Sequence, residues 1–529
     1  INQGIDLINL KVTNDENSLF VYCKLSEEIN LVNNILPQDL RLHIDTDNNP
    51  NTGSKIQEQY GIDLTIDFLA REAYYINSTK TETIYFGDIG FLSAPTVSTL
   101  EFEVSINLGT RVNGQALFTI DSIRILMEEK TFGDRMPDVG KVFKYALQNQ
   151  KQELFTPIDL DKTNEGLIRV CSYNVLFNSG WDSNNKIQNL KSICKAIDGD
   201  VFGFQESRGT NALEAEDYLN NWLPLPSGNW HASNSGDLIT CSKWPIIKTW
   251  TFNRHLAVLI NLPETYNTDI LVINTHLSCC SSNEARQEQV DNFCAFIRDA
   301  KTNGDEIDMP ENTPIIYLGD FNLVGFKQQI ETIINGDIQN TAIYGEPFLP
   351  DWDSTSLADA KPTHSENKLV YTWRSLSTNK IYPPGRLDFQ FYTDSKLDLD
   401  KSYVLNTAEM SNERLTKYNI NALDSKATSD HLPVVADYNI TDKATSSFDN
   451  KFELGEIRIY PNPAKNLLHI QAKQQLESIT IRNIEGSLIY NAHSSASTIN
   501  IEHLSPGVYF IQLNVLDKIH VKKLVIKRD

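Results

Sequence analysis

Several things are scarce in this chain. It holds no run of about 18 continuous apolar residues, the length a helix needs to cross a bilayer, so a soluble protein is expected. Cysteine is sparse: Cys23, Cys171, Cys194, Cys241, Cys279, Cys280 and Cys294 are seven in 529 residues. They are odd in number and lack a CxxC spacing, which argues against a zinc site and a disulfide framework. The vicinal pair Cys279 and Cys280 can bridge to each other or to other cysteines outside the cell, but small buried thiols are the expected reading. Positive charge is short as well, with 47 Lys and Arg against 69 Asp and Glu for a formal net charge of −22. Loose attraction to a phosphate backbone needs clustered Lys and Arg, so an anionic substrate must be held locally. A bound divalent cation does this by inverting the field inside an acidic cleft. No initiator Met or charged and apolar leader precedes Ile1, as in a mature chain after signal-peptide removal or in one trimmed at that point.

What is present is ordinary globular usage, 40% apolar and 22% charged, over a length that exceeds one hydrophobic core. Three domains are expected. Residues 1–155 read as short strands, "SLFVYCKL", "LRLHIDTD", "GIDLTIDF", "EAYYI", "LEFEVSI" and "SIRILM", broken by Asn, Asp and Gly, which predicts an antiparallel β-sandwich. Within it "DTDNNPNTG" places Asp45, Asp47, Asn49 and Asn51 in a tight turn, with Asp63 and Asp67 close behind. These hard oxygens form either a structural Ca²⁺ site or a solvated Asx-rich turn; the Gly and closing Glu of an EF-hand are missing. The segment resembles the β-sandwich modules related to family 9 carbohydrate-binding domains, which often carry such a loop.

Residues 165–440 change to buried strands alternating with amphipathic helices. Ile187, Leu190, Ile193, Cys194 and Ile197 share one helical face, as do Val290, Phe293, Cys294 and Ile297. The strands "LIRVCSYNV", "VFGFQE", "LAVLINL", "DILVINTHL" and "PIIYLGDF" each run into a polar residue, and strand ends are where ligands gather in α/β folds. The ordered blocks "SYNV", "FQE", "NTHL", "GDFN", "RLDF" and "SDHLPV" resemble the endonuclease/exonuclease/phosphatase superfamily over roughly half the chain. A lone Asp or His at a strand end is ordinarily a turn residue or a satisfied structural group; a turn explanation does not predict these residue types at six separate places.

Hydrolysing a phosphoester requires neutralising charge on the phosphoryl oxygens, activating a water and stabilising the leaving oxygen. Glu206 ends an apolar strand with a hard carboxylate suited to Mg²⁺, for which Mn²⁺ can substitute. Asp320 and Asn322, two apart, project to one side if extended, with Phe321 turned into the core. By resemblance Asp320 orients or activates the attacking water or holds metal, while Asn174 and Asn322 donate hydrogen bonds to the transition state. The resemblance also pairs His431 with Asp388 as a base and its orienting carboxylate, and makes Asp430 a second metal ligand. His276 looks like the deoxyribonuclease and sphingomyelinase branches, where two histidines act as acid and base; the carboxylate partner it would need cannot be placed. Leu318 stands where inositol polyphosphate 5-phosphatases usually have Trp. Arg254 is a candidate phosphate contact or a surface arginine.

Residues 441–453, "TDKATSSFDNKFE", read as a linker. From 454 to 529, "IRIYPNPAKNLLHI" through "LSPGVYFIQL" to a basic last strand predicts a small β-sandwich that looks like the C-terminal sorting domain of the type IX secretion system of Bacteroidota, recognised by the export machinery. The expected architecture is therefore multidomain, with an N-terminal β-sandwich, a central α/β four-layer sandwich of the DNase I type and a small C-terminal β-sandwich. The expected protein is a secreted or surface phosphodiesterase or nuclease acting on nucleic acid or another phosphodiester. A phosphomonoesterase, a sphingomyelinase-like enzyme and a glycan-binding protein with an inactive hydrolase domain are the alternatives.

Overall fold

The computed structural model describes residues 5–31, 39–56, 58–77, 80–131, 133–148, 155–182, 184–302, 307, 309–376, 382–441, 457–460, 462, 464–472, 478–483, 487–492, 498–515 and 518–528. The chain forms two compact units, Ile1–Lys443 and Ala444–Asp529. The first opens with two antiparallel sheets. One has the strand order Leu7–Asn14, Ser18–Ile29, Thr99–Asn107, Leu92–Ala94. The other is built around Ser122–Glu129, Leu40–Asp45 and Leu64–Asp67. Alternation does the work: Leu19, Val21, Cys23 and Leu25 point inward along one strand and meet Leu42, Ile44, Ile66, Ile123 and Ile125 of the facing sheet.

The acidic loop of this sandwich is only partly as the sequence implied. Asp45, Asp47 and Asp63 converge, with ligand atoms within 4.8 Å of one another. The backbone N–H of Asn49 donates to Asp45 Oδ1 at 2.9 Å and to Asp47 Oδ1 at 3.0 Å, and that of Asn51 donates to Asn49 Oδ1 at 3.1 Å, so the loop is also a chain of Asx turns. Asp67 lies elsewhere: it takes Arg41 at 2.9 Å and the Ala70 N–H at 2.8 Å.

The rest of the first unit contains two large sheets. The first runs His231–Ser235, Leu238–Ser242, Val201–Gln205, Ile168–Asn174, Val434–Ile440, Leu397–Val404, Thr363–His364. The second runs Ile246–Phe252, His255–Ile260, Ile270–His276, Ile315–Asp320, Asp388–Tyr392, Ala358–Asp359. The central strands are buried at every position because they are covered on both faces, with their polar residues gathered mainly toward the ends. Val170, Val201, Val258, Val272, Ile316 and Ala436 fill the layer between the sheets. On the outer faces Leu190, Ile193, Cys194 and Ile197 of the helix Asn184–Ile197 cover the first sheet, and Val290, Phe293, Cys294 and Ile297 of Asn283–Ala300 cover the second.

A polar clasp crosses the inter-sheet layer. Gln205 Nε2 donates to Asn274 Oδ1 at 2.7 Å, and Asn274 Nδ2 donates to the carbonyls of Phe204 and Ile239 at 3.1 and 3.0 Å. Gly203 sits where the sheets come closest, since a Cβ there would lie 2.4 Å from Leu318 Cδ1. The N-terminal sandwich is tied to the same region. Thr96 Oγ1 donates to Leu323 O at 2.7 Å, Ser98 N to Gly325 O at 2.8 Å, and Asn30 Nδ2 to the Val324 and Gly325 carbonyls at 3.2 and 3.0 Å.

Cys23, Cys171, Cys194, Cys241 and Cys294 are buried free thiols; Cys279 and Cys280 are exposed, against the expectation for that pair, because they occupy the turn ahead of the helix Asn283–Ala300. The second unit has sheets Ile457–Tyr460, Leu467–Ala472, Thr498–Asn500 and Leu488–Ala492, Ser478–Asn483, Gly507–Val515, Lys518–Ile526, around Ile470, Ile481, Ile511 and Leu524. Apart from Thr441, the linker expected at 441–453 lies outside the described residues. No described helix is long and apolar enough to cross a membrane.

One buried ion pair fastens the strand that leads away from the "SDHLPV" block. Arg169 meets Asp437 in a fork, Nε to Oδ1 at 2.6 Å and Nη2 to Oδ2 at 2.7 Å, and both side chains are almost wholly covered. Asp437→Asn, which leaves the guanidinium buried without its counter-charge, is expected to lower unfolding free energy by about 3 kcal/mol in urea titrations. A loss within experimental error would show that the pair is structurally idle.

Candidate active site

The register of the second sheet sets three functional side chains in one row. His276 pairs with Asp320 across parallel strands, and Asp320 pairs with Asp388 across antiparallel ones. From the first sheet Asn174 ends its strand beside Gln205, Glu206 follows Gln205, and His431 enters just before Val434–Ile440. The two sheets thus bring their polar strand ends to one place.

Asp320 Oδ2 is the meeting point. It accepts from Asn174 Nδ2 at 3.0 Å and Asn322 Nδ2 at 3.1 Å, and the Nε2 atoms of His276 and His431 lie 3.7 and 3.6 Å from it. Asn174 Nδ2 also donates to Glu206 Oε1 at 3.1 Å, so one amide joins two carboxylates. Glu206 Oε2 accepts the Phe177 N–H at 2.7 Å. Asn322 reaches the site by a different route from strand alternation: the strand ends at Asp320, and Asn322 has φ 50°, a left-handed turn in which its N–H donates to Asp320 Oδ1 at 3.0 Å. Phe321 points into the core as expected.

Each histidine has its own carboxylate. His431 Nδ1 faces Asp388 Oδ2 at 2.8 Å, which places the proton on Nδ1 and turns Nε2 toward Asp320. His276 Nδ1 faces Asp237 Oδ2 at 2.9 Å in the same manner. Asp237 escaped the sequence reading because it sits in the turn "NSGD" that opens the strand Leu238–Ser242, whereas the recognised blocks follow strands. Trp373 was missed too: its Nε1 donates to Asp430 Oδ2 at 2.9 Å, and its backbone bridges to His431.

The electrostatics follow from burial. Burial by itself lowers the pKa of His431, but Asp388 and Asp320 outweigh it and hold the group at about 10. Burial likewise lowers His276, and its bond to Asp237 with the nearby charge of Asp320 overcomes this, so the net direction is up. Burial pushes the Asp388 carboxyl up against the pull of His431. Asn174 and Asp388 are fully covered, whereas Glu206, His276, Asn322 and His431 keep 5 to 9% of their surface at the floor of the site.

Glu206, His276 and Asp320 offer donor atoms within 4.8 Å of one another, as do Asp320, Asp388 and His431. Hard carboxylate oxygens in excess over cationic partners fit a divalent cation of the Mg²⁺ or Mn²⁺ kind. Asp430 is not in either group; its carboxylate is turned to Trp373. Arg254, with φ 67° in the hairpin between Ile246–Phe252 and His255–Ile260, is anchored by its Nε to the His276 carbonyl and is otherwise exposed.

Residues 171–431 match the Endonuclease/Exonuclease/phosphatase family and residues 458–527 match the Secretion system C-terminal sorting domain. The middle of the chain is a phosphoester-acting hydrolase domain of that family, and the end of the chain carries a type IX sorting domain, which marks it for export to the cell surface or beyond. No curated protein matches. Among solved structures, D. rerio TDP2 complexed with single strand DNA product is 15% identical, over 52% of this chain and 100% of that one, with a TM-score of 0.35. Sphingomyelinase C from Streptomyces griseocarneus is 18% identical over 52% and 99%, at 0.32, and beta toxin from Staphylococcus aureus 16% identical over 51% and 99%, at 0.30. The assignment rests on the family match and not on these likenesses.

Because Asp237 stabilises the charged imidazole, Asp237→Asn is expected to make His276 titrate at lower pH in metal-free protein, followed by NMR of the histidine rings. An unmoved titration would separate the two residues.

Proposed function

We propose that this endonuclease/exonuclease/phosphatase domain, of the DNase I type and set between an N-terminal sandwich and the sorting domain, is a Mg²⁺-dependent phosphodiesterase. The observation that carries this is the pair of His–Asp couples, His431–Asp388 and His276–Asp237, whose Nε2 atoms face one carboxylate oxygen from 3.6 and 3.7 Å. Two imidazoles that face one acceptor, each with its own carboxylate, supply a base and an acid for a phosphoryl displacement.

Glu206, with Asp320 beside it, would hold the cation, which supplies neutralisation of the phosphoryl oxygens and orientation of the substrate. His431 takes the proton of the attacking water at Nε2. Burial opposes the charged form of His431, while Asp388, Asp320 and Asp430 favour it, and Asp388 orients the ring through Nδ1. His276 gives its Nε2 proton to the leaving oxygen. Asn174 Nδ2, shared between Glu206 Oε1 and Asp320 Oδ2, positions the two carboxylates, and Asn322, which reaches the floor of the site, is the amide placed to stabilise charge that develops on the phosphoryl oxygens. Asp430 steadies the His431 loop through Trp373, and Arg254 lies at the rim as a candidate phosphate contact.

A diester is favoured over a monoester by charge. Glu206, Asp320, Asp388, Asp237 and Asp430 surround the site, and a monoester brings a second negative charge into that field.

We extend the proposal to the loop of the N-terminal sandwich, where burial, with Asp47 and Asp45 close by, pushes the Asp63 carboxyl up to about 6. A Ca²⁺ bound by Asp45, Asp47 and Asp63 would relieve that repulsion. Ca²⁺ is expected to raise the melting temperature of the protein and Asp63→Asn to abolish the response; an equal rise in the variant would place the ion elsewhere.

With Mg²⁺ the protein is expected to hydrolyse bis-p-nitrophenyl phosphate and to leave p-nitrophenyl phosphate largely intact, with EDTA stopping the reaction. Glu206→Gln and His431→Ala are each expected to lower kcat by roughly 10²- to 10⁴-fold. Preference for the monoester would reverse the substrate assignment.

A further inference from the structure

The segment that leaves Asn174 adopts a conformation that L side chains avoid. Leu176, Phe177 and Asn178 have φ of 51°, 48° and 65°, three successive left-handed residues, none of them glycine. The three backbone N–H groups of the run all donate to residues of the site. Leu176 N donates to Asn174 Oδ1 at 3.0 Å, Phe177 N to Glu206 Oε2 at 2.7 Å and Asn178 N to Glu206 O at 2.6 Å. Turning these N–H groups inward throws the Phe177 ring outward, where it is 65% exposed between a half-buried Leu176 and a buried Asn178.

The ring has one neighbour of note. The guanidinium carbon of Arg208 lies 5.6 Å from its centroid. Arg208 Nε in turn stands 3.6 Å from Asp237 Oδ2, the carboxylate that holds His276, and the Arg208 side chain is 59% exposed. The Arg208 guanidinium thus lies over one face of the Phe177 ring on the His276 flank, and is itself linked through Asp237 to the acid of the reaction proposed above.

Resting on the phosphodiesterase reading, we propose that Phe177 and Arg208 form a subsite for one nucleotide of a single-stranded nucleic acid, the base stacking on the open face of the Phe177 ring and its phosphate meeting Arg208. Stacking accepts any base because each has a π-face, and a delocalised guanidinium suits a phosphate. In a duplex the bases are already stacked on one another and unavailable to the ring. The net charge of −22 works against loose attraction to a phosphate backbone, and a stacked ring with one local cation holds a nucleotide without it. A lipid surface fits less well. A loop that enters a bilayer exposes consecutive apolar residues, whereas here Leu176 is half-buried, Asn178 is buried and polar, and the ring is partnered by a charged group.

The experiment uses the full chain with Mg²⁺ and His431→Ala to prevent turnover, and reads fluorescence anisotropy with a labelled oligothymidylate and with an abasic oligomer of the same length. Phe177→Asn removes the ring but suits the left-handed backbone, so the fold is retained. It is expected to weaken oligothymidylate binding by about fivefold or more, the lower end of what one stacked base contributes, while leaving the abasic oligomer unchanged. Phe177→Tyr is expected to restore the wild-type preference. Equal losses on both oligomers, or none, would overturn the proposal. So would ring-dependent binding to sphingomyelin and phosphatidylcholine vesicles without any base preference. Binding is read without turnover, so a failure to hydrolyse diesters, which would sink the preceding section, leaves this outcome legible.

Discussion

Asp320 is a carboxylate almost wholly covered by protein, and the site is organised around the cost of keeping it there. A buried charge is tolerated only with partners, and this one has two amides within hydrogen-bonding distance and two imidazoles just beyond it. The partners come from both large sheets. Asn174 and His431 belong to the first, Asn322 and His276 to the second, so the arrangement exists only while the sheets keep their register. The Gln205–Asn274 clasp and the close approach at Gly203 provide that constraint from within the layer.

Support also arrives from outside the catalytic layers. Thr96, Ser98 and Asn30 of the N-terminal sandwich hold the carbonyls of residues 323 to 325, immediately after Asn322. The sandwich in this respect buttresses the segment that follows Asn322. On the other side the left-handed run at 176 to 178 costs on the order of 1 kcal/mol per residue, offset by the hydrogen bonds that orient Asn174 and Glu206. Strain at that place is what lets one loop both steady a metal-type carboxylate and present a ring to solvent.

Much of the fold was legible in the chain. Alternating apolar residues in Ser18–Ile29 marked a sandwich face, and continuous apolar stretches such as the first four residues of Ile270–His276 marked strands covered on both sides. The polar residues ending those runs were visible as local features, and the order of six such blocks, which resembles the superfamily, is what singled out Asn174, Glu206, His276 and Asp320. The vicinal cysteines were misjudged since burial of a turn is not a property of residue type.

What the sequence by itself determined is which residue types stand at which strand ends, because periodicity and composition act over a few neighbours. Only the tertiary structure decided that Asp237, from a turn before a strand, would face His276, that Asp67 would leave the acidic loop for Arg41, and that Asn322 would meet Asp320 through a left-handed turn. Those outcomes depend on the register between strands far apart in the chain and on the closeness of two packed sheets, and neither is written in any local pattern.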